Sequence, residues 1–203
     1  TGNNGGDGFL IADLACKRGI PVTVYQLGDA DKISGDALLA RNQALANGVE
    51  IQPFDGVLLS LGVVVDAMLG TGLGGNVREP YQDAIEAINR CAAPVLAVDI
   101  PSGLCSDTGQ VLGAAVVADL TVTFIGLKRG LFTLHAADHT GELKFTDLQV
   151  PPEIYCQVDC DSRRLELEPL LELLPARRAT AHKGLYGTVL VVGGDHGMAG
   201  AAA

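Results

Sequence analysis

Two hydrophobic patterns alternate along this chain: short runs rich in β-branched residues, and longer segments whose apolar positions recur at helical spacing. FLIADLACK (9–17) shows the helical spacing, and Gly19 just beyond it supplies a stop. PVTVYQL (21–27) reads as a strand on its β-branched content. Ser34 is a candidate N-cap for GDALLARNQALAN, whose leucines and alanines form one face and which ends at Gly48. VEIQ (49–52) is a short strand. GVVVDAML (62–69) is apolar on both faces, the mark of a strand buried between two layers. Pro80 opens the helix PYQDAIEAINRCA at the position of the first turn that tolerates proline. VLAVDI (95–100), LTVTFIG (120–126) and ELKFTDL (142–148) supply three further strands.

This strand and helix order over the first hundred residues predicts an α/β fold, a doubly wound and mostly parallel sheet with helices on both faces. Ligands of such sheets bind beyond the carboxyl ends of the strands. With 203 residues, 48% of them hydrophobic and 19% charged, the chain can close one full core and part of a second. A net charge of -10 with 14 Lys and Arg argues against nucleic acid as a partner. Apolar runs such as LLSLGVVVDAMLG are broken well short of the roughly 20 residues that span a bilayer, so no membrane association is expected. Five cysteines in no disulfide framework point to a reducing, cytoplasmic setting. The chain starts without Met and inside a glycine-rich turn, and is read as a piece of a longer protein cut at both ends.

The chemistry gathers at the predicted strand ends. TGNNGGDG (1–8) packs four glycines, two asparagines and an aspartate ahead of an apolar helix. It is read as a ligand-binding loop, since glycines allow close approach and a helix N-terminus favours an anion. A strand is expected ahead of it. The turn 66–76 follows one buried strand and DIPSG (99–103) follows the next, so three carboxylates, Asp7, Asp66 and Asp99, fall on one edge. Each alone could equally cap a neighbouring helix. Together with Ser102 and the carbonyls of residues 70–72 they form an all-oxygen set that suits a hard cation rather than zinc. Asp99, at the end of a buried strand, is the candidate general acid/base. Lys128 and Arg129 could meet a phosphate or be solvated loop charges.

The motifs TGNNGGDG, VVDAMLGTGL, AVDIPSGLCSDTG and ADLTVTFIGLKRGL, in this order and spacing, resemble the N-terminal domain of the NAD(P)H-hydrate epimerase family over residues 1–150. The resemblance implies a three-layer αβα Rossmann-like domain that interconverts the R and S forms of hydrated NADH and NADPH at nicotinamide C6. It implies a bound potassium ion held by Asn4, Asp66 and Ser102. It implies contacts to the hydrated cofactor from Asn3, Asn4, Gly5, Gly6 and Asp7 in the first motif. The second motif would contribute Gly70, Thr71, Gly72, Leu73, Gly74, Gly75 and Asn76, joined by Asp99 and by Tyr81 on the following helix. Members of the family also resemble one another in forming dimers or larger assemblies.

Beyond residue 150 the pattern changes. Residues 156–176 read as a linker, and 177–203, with a predicted buried strand at 188–192 and a glycine-rich turn at 193–197, resemble the opening of an ADP-dependent NAD(P)H-hydrate dehydratase domain of ribokinase-like fold. That domain is incomplete here, so no dehydratase activity is expected of this chain, and the epimerase domain is assigned to 1–155. Two rival readings remain. A non-catalytic binding or scaffold module of the same fold would have no need of Asn4, Asp7, Asp66, Asp99 and Ser102 together. An ordinary NAD-dependent dehydrogenase would carry the usual dinucleotide fingerprint, which TGNNGGDG is not.

Overall fold

The computed structural model describes residues 2–58, 62–173, 179–185, 188, 190–192 and 200. The chain divides into two compact units, Thr1–Asp159 and Cys160–Ala203. In the first, helix α1 (Asn3–Lys17) leads to strand β1 (Thr23–Gln26), helix α2 (Gly35–Ala46) and strand β2 (Glu50–Pro53). Strand β3 (Val64–Asp66), helix α3 (Tyr81–Arg90) and strand β4 (Val95–Val98) follow, then β5 (Leu120–Phe124), the short helix α4 (Ala136–His139), β6 (Glu142–Thr146) and the turn-length helix α5 (Pro152–Tyr155).

Among the described residues every pair of these strands is parallel, in keeping with the expected α/β class, and one isolated bridge, Leu104 with Val111, is antiparallel. The strands form two sheets instead of one, β1-β2 and β3-β4-β5-β6. β1 and β3 line an apolar cavity of about 640 Å³ together with Phe9, Ala12, Val22 and Ala67. This changes the reading of GVVVDAML. The segment was expected to be buried on both faces, yet β3 has only three residues, and Val63 and Val65 are 61% and 41% exposed. Among the described residues β3 has a strand partner on one side only, so its outward valines border the cavity and are not covered by a second layer.

The first motif also differs from its expectation. It is not a loop ahead of the helix: α1 begins at Asn3, so Gly5, Gly6 and Asp7 sit in its first turns. Glycine is a poor helix former, and tertiary packing overrides that preference here. A Cβ on Gly6 would lie 3.1 Å from the Ala37 Cα of α2, and one on Gly8 would lie 2.8 Å from the Ala67 Cβ. The two glycines therefore let α1 approach α2 and the turn after β3 closely. At its other end α1 stops as predicted: Gly19 takes φ 73, and the N–H groups of Gly19 and Ile20 bond the carbonyls of Cys16 and Ala15. Ser34 does precede α2, although its side chain makes no capping bond.

Three apolar clusters hold the first unit. Phe9, Ala12, Ile33, Ala37, Ala40, Ala44 and Val49 join α1 to α2. Ile85, Ile88, Val95, Ala97 and Val116 bind α3 to β4. Ile100, Leu104, Ala115, Leu131 and Ala136 close the region after β4. In the second unit, helix α6 (Leu167–Leu171) and a 3-10 turn (Lys183–Leu185) are formed. The strand expected at 188–192 is not formed at residues 188 and 190–192, where Leu190, Val191 and Val192 are exposed. Those residues have no partner edge among the described ones, and a strand needs one. Thr1 and the turn 193–197 lie outside the described residues. No helix among the described residues is long and apolar enough to cross a membrane.

The α1–α2 contact contains one buried carboxylate. Asp13, 1% exposed, accepts from Lys17 Nζ at 2.7 Å, Gln43 Nε2 at 2.6 Å and Asn47 Nδ2 at 2.6 Å. Those partners, Lys17 foremost, hold its carboxyl below the ordinary carboxylate range against the opposing effect of burial. A depressed folded-state pKa contributes stability above the unfolded value and loses it as pH falls through the folded one. Asp13→Asn is therefore expected to melt below the unsubstituted chain at neutral pH, with the gap closing on acidification below the carboxylate range. Equal thermal midpoints at neutral pH would refute this account of the contact.

Candidate functional site

In a parallel sheet the carboxyl ends of adjacent strands lie side by side, and β3 and β4 are in register with Asp66 opposite Ala97. Asp66 ends β3 and is fully buried. Its carboxylate accepts from Ser102 N at 2.8 Å, Ser102 Oγ at 2.6 Å and Met68 N at 3.2 Å. Burial nonetheless pushes the Asp66 carboxyl up, with the Ser102 bonds opposing it. Ser102, also fully buried, accepts in turn from Leu69 N at 2.9 Å. Asn4, the second residue of α1, donates from Nδ2 to Leu69 O at 3.1 Å. Asn4, Asp66 and Ser102, named from three separate motifs, thus converge around the Leu69–Gly70 backbone. A Cβ on Gly70 would lie 3.2 Å from the Asn4 Cβ, so glycine there permits the approach.

One atom of this cluster has no partner. Asn4 Oδ1 is the only buried side-chain nitrogen or oxygen among the described residues without a hydrogen bond. A buried acceptor left bare costs about 1–3 kcal/mol, so such an atom marks either strain or a ligand not yet present. Asn4 and Ser102 both bond the Leu69 backbone and Ser102 bonds Asp66, so together they offer neutral and anionic oxygen only, a donor set that fits a hard monovalent or divalent cation.

Asp99 lies one residue beyond β4 and takes φ 70, which ends the strand before the predicted Ile100. Left-handed backbone costs a non-glycine residue about 1–2 kcal/mol, less for Asp than for most, and surrounding bonds must hold it. Here the Asp99 N–H bonds Val122 O at 2.7 Å, continuing the β4–β5 ladder past its last pair. The side chain is fixed as well: Asp99 Oδ1 accepts from Thr123 Oγ1 at 3.2 Å, Phe124 N at 3.3 Å and Lys128 Nζ. Asp7, half-buried on α1, is near enough that the Asp99 charge adds to burial in pushing the Asp7 carboxyl up. The site therefore brings the Asp7 carboxyl within reach of the Asp99 charge, and Asp99 is itself ion-paired with Lys128.

The other predicted contacts are spread more widely. Asn3 is exposed at the start of α1, Gly5 is half-buried at the apolar cavity, and Gly6 is turned to α2. Thr71, Gly72, Gly74, Gly75 and Asn76 form an exposed turn after Gly70, tied by Leu73 N–H to Gly70 O at 3.3 Å, with Gly75 at φ 80. Tyr81 packs against the α3–β4 cluster and borders the cavity between β1 and β3, so it is not gathered with the Asp66 cluster. Lys128 is neither a solvated loop charge nor aimed outward: it folds back on Asp99 and is 17% exposed. Sequence reasoning missed Thr123 and Leu69. The alternating threonines of LTVTF were the one signal for the former, and a backbone carbonyl leaves none.

Fold and site together define a parallel α/β domain with a polar, cation-compatible centre at the carboxyl ends of its strands. The model of the family described as YjeF-related protein N-terminus matches residues 1–130, a span that contains every site residue above, and the chain belongs to that family. It is 49% identical over 201 residues to the bifunctional NAD(P)H-hydrate repair enzyme Nnr of Coxiella burnetii, covering 98% of this chain and 41% of that protein. It is 44% identical to the protein of the same name from Escherichia coli, covering 98% of this chain and 39% of the relative. The chain thus spans about two fifths of the length of the curated relatives it matches. The crystal structure of yeast ynu0 (YNL200c) superposes with a TM-score of 0.65 at 19% identity, over 79% of this chain and 71% of that one, a likeness of fold.

Ser102 is held in place by the residue after it. Gly103 takes φ 91, and a Cβ there would lie 1.9 Å from Ala114 O. Gly103→Ala is expected to cost at least about 2 kcal/mol from strain and overlap combined, read as a lower urea midpoint. An unchanged midpoint would mean that the turn holding Ser102 adapts freely.

Proposed function

We propose that this chain is the epimerase part of an NAD(P)H-hydrate repair enzyme, interconverting the R and S forms of hydrated NADH or NADPH at nicotinamide C6. The observation that carries the reading is the convergence of Asn4, Asp66 and Ser102 with a bare buried Asn4 Oδ1, beside the carboxyl pair Asp7 and Asp99. Relatives named as bifunctional NAD(P)H-hydrate repair enzymes support it. The cation is potassium, held by Asn4 Oδ1, Asp66 and Ser102, and when bound it would supply a fixed positive charge that anchors the turns and the oxygens of the substrate.

The residues of this chain do the rest. Asn3 to Asp7 and the turn from Gly70 through Asn76 bind the hydrated cofactor and orient its ring toward Asp99. The C6 hydroxyl takes a proton from a carboxyl group and leaves as water, driven by the ring nitrogen's lone pair. Water then adds to the other face of C6 and returns the proton. Asp99 is the carboxylate that carries this proton, with Asp7 as its neighbour of raised proton affinity. In the parent protein a following domain would dehydrate the S form at the expense of ADP. A cytoplasmic setting and a homo-oligomer complete the reading.

The test is turnover of the R form of hydrated NADH by the full-length protein, coupled to a separate S-specific dehydratase. Potassium-dependent turnover, lost when lithium replaces potassium and reduced about 10²- to 10⁴-fold by Asp99→Asn, is the expected result. A folded protein that never exceeds the spontaneous rate would leave a non-catalytic binding domain as the reading.

A further inference from the structure

Lys128 is an unusual lysine. It lies four residues past the end of β5, where a charged side chain ordinarily reaches into water, yet it folds back along the strand to the site. Its ammonium has three N–H donors and meets three acceptors: Asp99 Oδ1, Thr123 Oγ1 at 3.1 Å and Phe124 O at 2.8 Å. The Phe124 ring lies 5.8 Å from the charge. With every donor used, Lys128 has none left for a substrate phosphate unless it releases Asp99. The carboxylate is constrained from its own side too. Oδ1 collects all three donors from Lys128, Thr123 and Phe124, and no hydrogen bond among the described residues reaches Oδ2. One oxygen is thereby fixed as the anchor and the other is left for the substrate. Asp7, a second acidic group on α1, senses the Asp99 charge, and Lys128 is the cation paired with Asp99.

We infer that Lys128 is a positioning residue for the reaction, fixing the Asp99 carboxylate through Oδ1 so that Oδ2 is the oxygen presented to the reacting centre. This rests on the epimerase reading, in which Asp99 carries the proton. Lys128 touches Asp99 and not the substrate. Its loss therefore lowers the rate of the chemical step while leaving substrate binding nearly intact.

The test uses the full-length protein and its epimerase turnover. Lys128→Met is expected to lower kcat about 10²-fold with KM changed less than about threefold, the scale on which a small misplacement of a reacting group acts. Lys128→Arg, which keeps the charge and donors, is expected to recover most of that loss. In an Asp99→Asn background, Lys128→Met is expected to add no further loss, since it acts through the group already removed. Turnover by the unsubstituted protein with an unchanged kcat in Lys128→Met would overturn the inference alone, as would a loss confined to KM or a fully additive double variant. A Lys128→Met protein without its native circular dichroism spectrum would assign the residue to folding and overturn it too. No turnover in the unsubstituted protein would overturn the epimerase reading and this inference together.

Discussion

The structure of the site depends on one buried carboxylate. Asp66 has no exposed surface, and a lone charge in such a place would be untenable without donors around it. Ser102 supplies two of them and Met68 a third, so the end of β3 is tied to the loop after β4 through the side chain of Asp66. Ser102 then takes the Leu69 N–H, and Asn4 takes the Leu69 carbonyl, which brings α1 into the same knot. Three segments that are far apart in sequence are oriented by one group. Burial pushes the Asp66 carboxyl up, and Asn4 Oδ1 accepts no hydrogen bond.

Asp99 occupies the adjacent strand end and solves the opposite problem. Its charge is matched by Lys128, its backbone is held in a left-handed conformation by the β5 ladder, and its neighbour Asp7 is biased toward the protonated form. Burial and the Asp99 charge thus push the Asp7 carboxyl up, while Asp99 is held as the partner of Lys128. The four-stranded sheet supplies the rigidity for this. Thr123 is fully buried on β5, and the bonds to Asp99 run from its hydroxyl and from the next N–H along the same strand.

Much of this was legible in the sequence because it follows from local rules. The strands of LTVTFIG and ELKFTDL and the helices before Gly48 and after Pro80 form where their patterns put them, and the parallel order makes Asp66 and Asp99 neighbours. What was not legible depends on tertiary contact. NNGGD reads as a loop because glycine disfavours helix, yet α1 begins at Asn3, and its Gly6 and Gly8 allow the close approach to Ala37 and Ala67. GVVVDAML reads as doubly buried because composition cannot say which strands have neighbours, and β3 has one among the described residues. Lys128 is 29 residues from Asp99 in sequence, so its ion pair had no periodic signature, and Asn4 Oδ1 is conspicuous only once every other polar atom has been matched.

The cation proposed for the oxygens of Asn4, Asp66 and Ser102 is monovalent. Crystals of the full-length protein grown with thallium in place of potassium test it most directly, because thallium has a similar radius and scatters anomalously. The account predicts an anomalous peak at bonding distance from Asn4 Oδ1 and the Asp66 carboxylate. A map without that peak, in which a protein donor or a water satisfies Asn4 Oδ1, would contradict it.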